Sequence, residues 1–191
     1  NGIAGLGQVF VIGKDFKKYS VDVQNQNALP LDPDSGWYSH RSLQIVGRGV
    51  LHQTERGVET LSARNALSGA PAMESEALTD DLRPLIQRID PKFRNSSCAL
   101  YAKPYTNYYF TFDTTADGTP ETTLVRSATV DAWSQYSYPG IFDYGIYIDE
   151  DFVTHFVAAR ATSGQMLEIE FGFNDNGSSY ICELKTKAWD F

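Results

Sequence analysis

Ser42-Leu43-Gln44-Ile45-Val46-Gly47-Arg48-Gly49-Val50-Leu51-His52-Gln53-Thr54-Glu55-Arg56-Gly57-Val58-Glu59-Thr60-Leu61 reads as three short strands separated by two tight turns. Its apolar residues come in runs of a few, each stopped by glycine, with no recurrence at the 3.6-residue helical period. Gly47-Arg48-Gly49 and Glu55-Arg56-Gly57 supply the left-handed backbone that hairpin turns demand. Strands joined this closely pair with their sequence neighbours, so the stretch predicts an antiparallel meander.

The same grammar extends outward. Toward the N-terminus, Gln8 to Ile12 and Phe16 to Val23 are strands around a turn at Gly13-Lys14-Asp15. Gly2 to Gly7 resembles a dinucleotide fingerprint but has no strand before it or helix after it, so it reads as a flexible approach segment. Gln24 to Ser39, with Pro30, Pro33 and Gly36, reads as a polar loop crossing between units. On the other side, Arg64 to Glu76 is small and polar and reads as a surface loop.

One helix is expected, from Asp80 to Asp90, because Leu82, Leu85, Ile86 and Ile89 fall on one stripe. Asp81 is its expected cap, since Pro84 is tolerated only in the first turn. Beyond Pro91 the strands resume, with Ser97 to Lys103, Thr106 to Asp113, Glu121 to Thr129 and a segment ending near Tyr138. Phe142 to Ile148, Phe152 to Arg160, Gln165 to Phe173 and Ser179 to Thr186 complete the pattern. Strand-turn-strand units recur every roughly 35–55 residues, the repeat of a four-stranded propeller blade. The fold expected is all-β: a propeller-like array of short antiparallel blades with one inserted short helix, and a β-sandwich as the alternative.

The 191 residues suit a single β domain, and 13% of them are aromatic, mostly Tyr and Phe, which favour strands. A formal charge of −8 argues against nucleic acid or an anionic membrane surface as the partner. A chain starting at Asn1 and stopping at Trp189-Asp190-Phe191 is expected to be an internal or ordered fragment of a longer polypeptide.

Several of these segments resemble the propeller-like structural proteins of tailed-bacteriophage tails. The resemblance rests on Gly49 to Leu61, on the step Ala77-Leu78-Thr79-Asp80-Asp81-Leu82 into a short helix, and on Ala99-Leu100-Tyr101-Ala102-Lys103. It continues through Asn107-Tyr108-Tyr109-Phe110-Thr111-Phe112, Leu124-Val125, Asp131-Ala132-Trp133-Ser134 and the closing Glu183 to Phe191. It covers Leu43 to Phe191. It implies a virion protein of the tail or tail hub without chemistry of its own, whose partners are other tail proteins and copies of itself in a ring.

The residues that carry chemistry elsewhere have bland readings here. Asp149, Glu150 and Asp151 share a turn apex, where hydrated neighbours diverge and take no separate acid and base roles. Glu168 and Glu170 alternate on one strand face, roughly 6–7 Å apart, and form the best pair for a glycosidase hypothesis. His40, His52 and His155 sit on separate segments without metal or triad spacing. Asp113 with Asp117-Gly118, and Asn174 to Gly177, read as turns rather than calcium loops. Cys98 and Cys182 read as buried thiols, and a disulfide needs their Cα atoms within about 7 Å. No catalytic residue, metal or cofactor is therefore expected. Tyr105, Tyr108, Trp133 and Tyr136 are expected to form an aromatic surface for a partner protein or a sugar, because alternate residues of an aromatic strand face opposite ways. A carbohydrate- or receptor-binding module is the rival reading.

Overall fold

The computed structural model describes residues 2–6, 9–22, 26–32, 35–47, 49–64, 72–136, 140–160, 163–169, 174, 175, 178 and 179. Three consecutive four-stranded sheets lead the chain. The first holds β1 (Gly2–Leu6), β2 (Val9–Lys14), β3 (Lys17–Asp22) and β4 (Asn27–Asp32). The second holds β5 (Gln44–Val46), β6 (Gly49–Thr54), β7 (Gly57–Arg64) and β8 (Ala72–Ala77). The third holds β9 (Cys98–Ala102), β10 (Asn107–Phe112), β11 (Thr122–Ser127) and β12 (Ala132–Tyr136). A fourth sheet is made of β13 (Ile141–Ile148), β14 (Thr154–Arg160) and β15 (Met166–Glu168). Every sheet is an antiparallel meander in strict chain order, the construction of propeller blades.

Three segments expected to be loops are strands. Gly2 to Leu6 pairs with β2, Asn27–Asp32 lies inside the predicted crossing loop, and Ala72–Ala77 lies inside the predicted surface loop. All three are edge strands. An edge strand needs only one ladder of backbone hydrogen bonds and no buried apolar row, so its sequence carries little alternation.

The core is divided into layers between sheets. Ala4 and Val11 of the first sheet meet Val50 and Leu61 of the second around Trp37. The second sheet's other face, with Leu51 and Val58, meets Ala99, Tyr108, Phe110, Phe112 and Leu124 of the third. The third sheet's far face, with Cys98, Leu100, Tyr109 and Val125, meets Ile141, Phe156 and Ala158 of the fourth. Alternate residues along β10 therefore fill two different layers, and five of its six residues are buried. This corrects the expectation that alternation would push a tyrosine of this strand into solvent: both faces of the sheet are core.

Close approach between sheets sets the glycines. A Cβ on Gly13 would lie 2.1 Å from the Trp37 ring, so only glycine lets that indole lie flat on β2. Gly57, at φ +123°, opens β7 in a conformation side chains rarely adopt, and a Cβ there would strike Thr79 Oγ1.

The predicted helix is shorter than its stripe. A 3₁₀ turn at Asp80–Leu82 runs into one α-helical turn, α1 (Arg83–Ile86), and neither Thr79 nor Leu82 caps through its side chain. Asp81 is not the cap. Thr79 Oγ1 instead accepts the buried Val58 N–H at 3.1 Å, tying the turn to the second sheet. The stripe still packs as expected: Ile86 and Ile89 are buried against the layer between the second and third sheets, with Leu82 and Leu85 half-buried beside them.

Phe110 is fully buried while Tyr105, five residues earlier, is 47% exposed. Phe110→Ala should lower the unfolding free energy in urea by about 3–5 kcal/mol, and Tyr105→Ala by about 1 kcal/mol or less.

Candidate functional site

Of the four aromatics assigned to a surface, the structure keeps one fully open. Tyr105 stands in the η-turn after β9 with its ring edge on Phe156, centroids 5.5 Å apart. Tyr108 is only 2% exposed, and its hydroxyl donates to Ser42 O at 3.2 Å, so it is a core residue and not part of any surface. Trp133 is half-buried, stacked edge-on against Tyr108, with Nε1 donating to Leu78 O at 2.9 Å. Tyr136 is half-buried against the layer between the third and fourth sheets. The four do not form one platform, because Tyr108 and Trp133 face the second sheet while Tyr105 and Tyr136 lie toward the fourth.

The structure brings together two ionic clusters that the sequence does not announce. The first lies between the first and second sheets. Lys18 of β3 is fully buried with Nζ 2.8 Å from Glu59 Oε2 of β7. Ser75 and Ser35 hydroxyls donate to the same carboxylate oxygen at 2.8 and 3.3 Å, and Thr54 donates to Oε1 at 3.0 Å. His52 completes the cluster, its ring tilted against Trp37 at 5.2 Å. Its Nδ1 faces only the Val50 carbonyl oxygen, at 3.3 Å, which places the proton on Nδ1. Nε2 is then a bare acceptor, and its 3.9 Å separation from Glu59 Oε2 is not an ion pair.

Electrostatics agree with that assignment. Burial, then the Lys18 charge, drives the His52 pKa down to about 3, against the opposing pull of Glu59. Burial works against the Glu59 charge as well, but the Lys18 ammonium and the Ser75 and Thr54 hydroxyls outweigh it and hold the pKa at about 2. The cluster is a charge-neutral Lys18–Glu59 pair beside a neutral imidazole, closed off from solvent. Such a pair holds two sheets in one register.

The second cluster lies on the outer face of the fourth sheet. Asp149 Oδ2 accepts from His155 Nε2 at 2.8 Å, Glu168 Oε1 holds the other ring nitrogen, and Tyr147 stacks flat on the imidazole with centroids 4.6 Å apart. Hydrogen bonds donated to Glu168 and then to Asp149 raise the His155 pKa, and the bond accepted from His155, followed by that from the Val153 N–H, lowers the pKa of Asp149. His155 is thus an imidazolium clamped by two carboxylates. With both nitrogens committed as donors it has no lone pair to act as a base. Two expectations are corrected here, that His155 has no partner at metal or triad spacing and that Asp149 is a hydrated turn residue: the β13–β14 hairpin turn and β15, thirteen residues on, converge on the ring. Glu168 is engaged in this clamp, and Glu170 lies outside the described residues.

The other expected sites are accounted for locally. Asp113 is buried and takes N–H groups from Thr115, Ala116 and Gly118, so its oxygens hold its own loop. Among the described residues no group of three His, Cys, Asp or Glu is arranged to hold a metal ion. Cys98 is a buried free thiol, and burial pushes its pKa up to about 12, which keeps it from acting as a nucleophile. Cys182 lies outside the described residues. Among those residues no helix is long and apolar enough to cross a membrane.

No protein-family model matches the chain, and no curated protein does. Among solved structures it is similar to the extracellular domain of a one-component system from B. thetaiotaomicron, at 9% identity and a TM-score of 0.48. That match covers 90% of this chain and 22% of the other, so the chain spans about a fifth of that structure. It is also similar to an ACO/RPE65 chimera, at 7% identity and a TM-score of 0.34, over 87% of this chain and 42% of that one. At these scores neither neighbour bears on function.

Glu59→Leu leaves the Lys18 ammonium buried without its counter-charge and should destabilise the protein by about 3–5 kcal/mol, while Lys18→Met with Glu59→Leu should recover most of that loss in a double-mutant cycle. The wild-type protein should be acid-labile. Unfolding lets His52 take up a proton below its ordinary value of 6.5, and Glu59 below 4.5, whereas the fold delays them to about 3 and about 2. Both contributions are complete above those ordinary values and disappear as pH falls through the lower ones. Melting temperatures recorded between pH 7 and pH 2 test the window. His155 carries the opposite sign: its contribution is complete below 6.5 and fades as pH rises through its raised folded value.

Proposed function

We propose that this chain is a non-catalytic structural component of a larger assembly, a row of blades whose work is to hold neighbouring subunits in place. The observation that carries this reading is the exposed apolar surface of the first and fourth sheets. The first and fourth sheets carry large apolar side chains exposed on their outer faces. Ile3 is 61% exposed, Phe10 45% and Met166 67%. Exposed apolar patches of this kind mark interaction surfaces.

The particular assembly proposed is a bacteriophage tail, on the strength of the sequence resemblance over Leu43 to Phe191. Supporting the structural reading over a sugar-binding one is the burial of Tyr108 and the tethering of Trp133, which leave Tyr105 without an aromatic partner surface. Supporting it over a glycosidase is the engagement of Glu168 by the His155 ring, which holds that carboxylate against a neighbouring side chain rather than open to a substrate.

The test is the particle itself. Mass spectrometry and electron microscopy of purified phage from the host that carries the gene should find the chain in the tail at several copies per particle. Absence from the virion, or a measurable polysaccharide-cleaving activity lost in Glu168→Gln with folding intact, would overturn the proposal.

A further inference from the structure

The two end faces differ in charge in a way that identifies their occupant. Strand register assigns side chains to faces, because successive residues alternate. On the first sheet Ile3 pairs with Ile12 and Ile12 with Tyr19, while Lys14 pairs with Lys17. The outer face therefore carries Ile3, Phe10, Ile12 and Tyr19 with Lys14 and Lys17, and Asp15 in the turn between the two lysines leaves this side net basic. Lys18 and Ser20 point the other way, into the layer with the second sheet. A cleft of about 790 Å³ opens on this side, lined by Ile3, Ile12, Phe16 and His40, with Lys14 and Lys17 flanking Asp15.

On the fourth sheet Tyr147 pairs with His155, Val157 with Glu168, and Ala159 with both Asp143 and Met166. These residues form the outer face, since Ile141, Phe156 and Ala158 are buried on the inner one. The outer face is again apolar, through Tyr147, Val157 and Met166, but its charges are Asp143, Glu168 and the adjoining Asp149 against His155 alone. Its strand residues include no lysine or arginine. One imidazolium between two carboxylates leaves the cluster net negative.

We infer that the basic, apolar outer face of the first sheet docks on the acidic, apolar outer face of the fourth sheet of a second copy of this chain, head to tail. This rests on the structural reading above and names the partner within it. Within the chain, the first two sheets already meet by this device, an apolar patch with a lysine set against a carboxylate, as Lys18 and Glu59 show. The contact is heterologous, so it closes into a ring where the rotation divides evenly and otherwise grows as a filament. Its charges make it weaken as salt screens them.

Sedimentation of the chain over a concentration series, at low and high salt, reads the contact directly. The wild type should self-associate, less so in high salt. Lys14→Glu with Lys17→Glu should weaken association about tenfold or more, as should Asp143→Lys with Glu168→Lys, because each places like charges face to face. Mixing the two double variants should restore it, since the reversed faces now complement each other. Phe10→Asp and Met166→Asp, at exposed positions that the fold does not need, should act alike without any charge partner being removed. Circular dichroism checks that each variant is folded. A wild type that stays monomeric at all concentrations overturns the inference and assigns the faces to other chain segments or another protein. Association indifferent to both charge reversals, or not restored by mixing, overturns it too. A chain found in tails yet monomeric alone would sink only the self-docking, and a self-associating chain absent from virions would sink only the tail reading.

Discussion

The structure depends on sheets packing on sheets in series, so that an interior sheet has no solvent face. The third sheet shows the constraint most plainly. Its β10 strand sends Phe110 and Phe112 into one layer and Tyr109 into the next, and every one of these rings is buried. Each fully buried aromatic or aliphatic side chain contributes about 1.5–3 kcal/mol, and here both halves of the alternation contribute. Tyr, Phe and Thr run continuously through Asn107–Phe112 because neither face can accept charge without a partner.

Where charge does enter a layer, it is matched. Lys18 and Glu59 come from strands 41 residues apart in sequence and bond at 2.8 Å out of reach of solvent, with three hydroxyls filling the remaining carboxylate positions. Removing water from two charges is expensive, and their attraction with full hydrogen bonding offsets it. What the pair adds is register: a displaced Lys18 would be buried without its counter-charge. His52 stays neutral there because burial disfavours its charged form and the Lys18 ammonium beside it adds to that effect.

The first and fourth sheets follow the same logic on their inner faces. Their inward faces are packed and their outward faces repeat the composition of an interior face, apolar with a few charges. The His155 clamp is the outer-face counterpart of the Lys18–Glu59 pair, half-buried where the latter is fully buried. A structural role in an assembly is the reading most consistent with a fold whose ends are built like its middle.

Much of the fold was legible in the sequence. Glycine turns around β6 and β7, the aromatic hairpin of β9 and β10, and the stripe of Leu82, Leu85, Ile86 and Ile89 act locally, through backbone geometry and side-chain period, and each sits where its pattern put it. Edge strands β1, β4 and β8 were not legible, since pairing on one side requires no apolar alternation. Nor were the clusters. Nothing near Lys18 names Glu59, and nothing near His155 names Glu168, because charge complementarity acts through space. The aromatic surface failed at Tyr108 for the same reason: period two says that alternate residues face opposite ways, and only the stacking of a further sheet decides whether the second face meets water. The sequence by itself determined the inner strands, their turns and the all-β class, because these follow from local period and backbone geometry. The tertiary structure alone decided which faces are core, which charges are paired, and which large apolar side chains stay exposed, because these depend on what packs against each sheet.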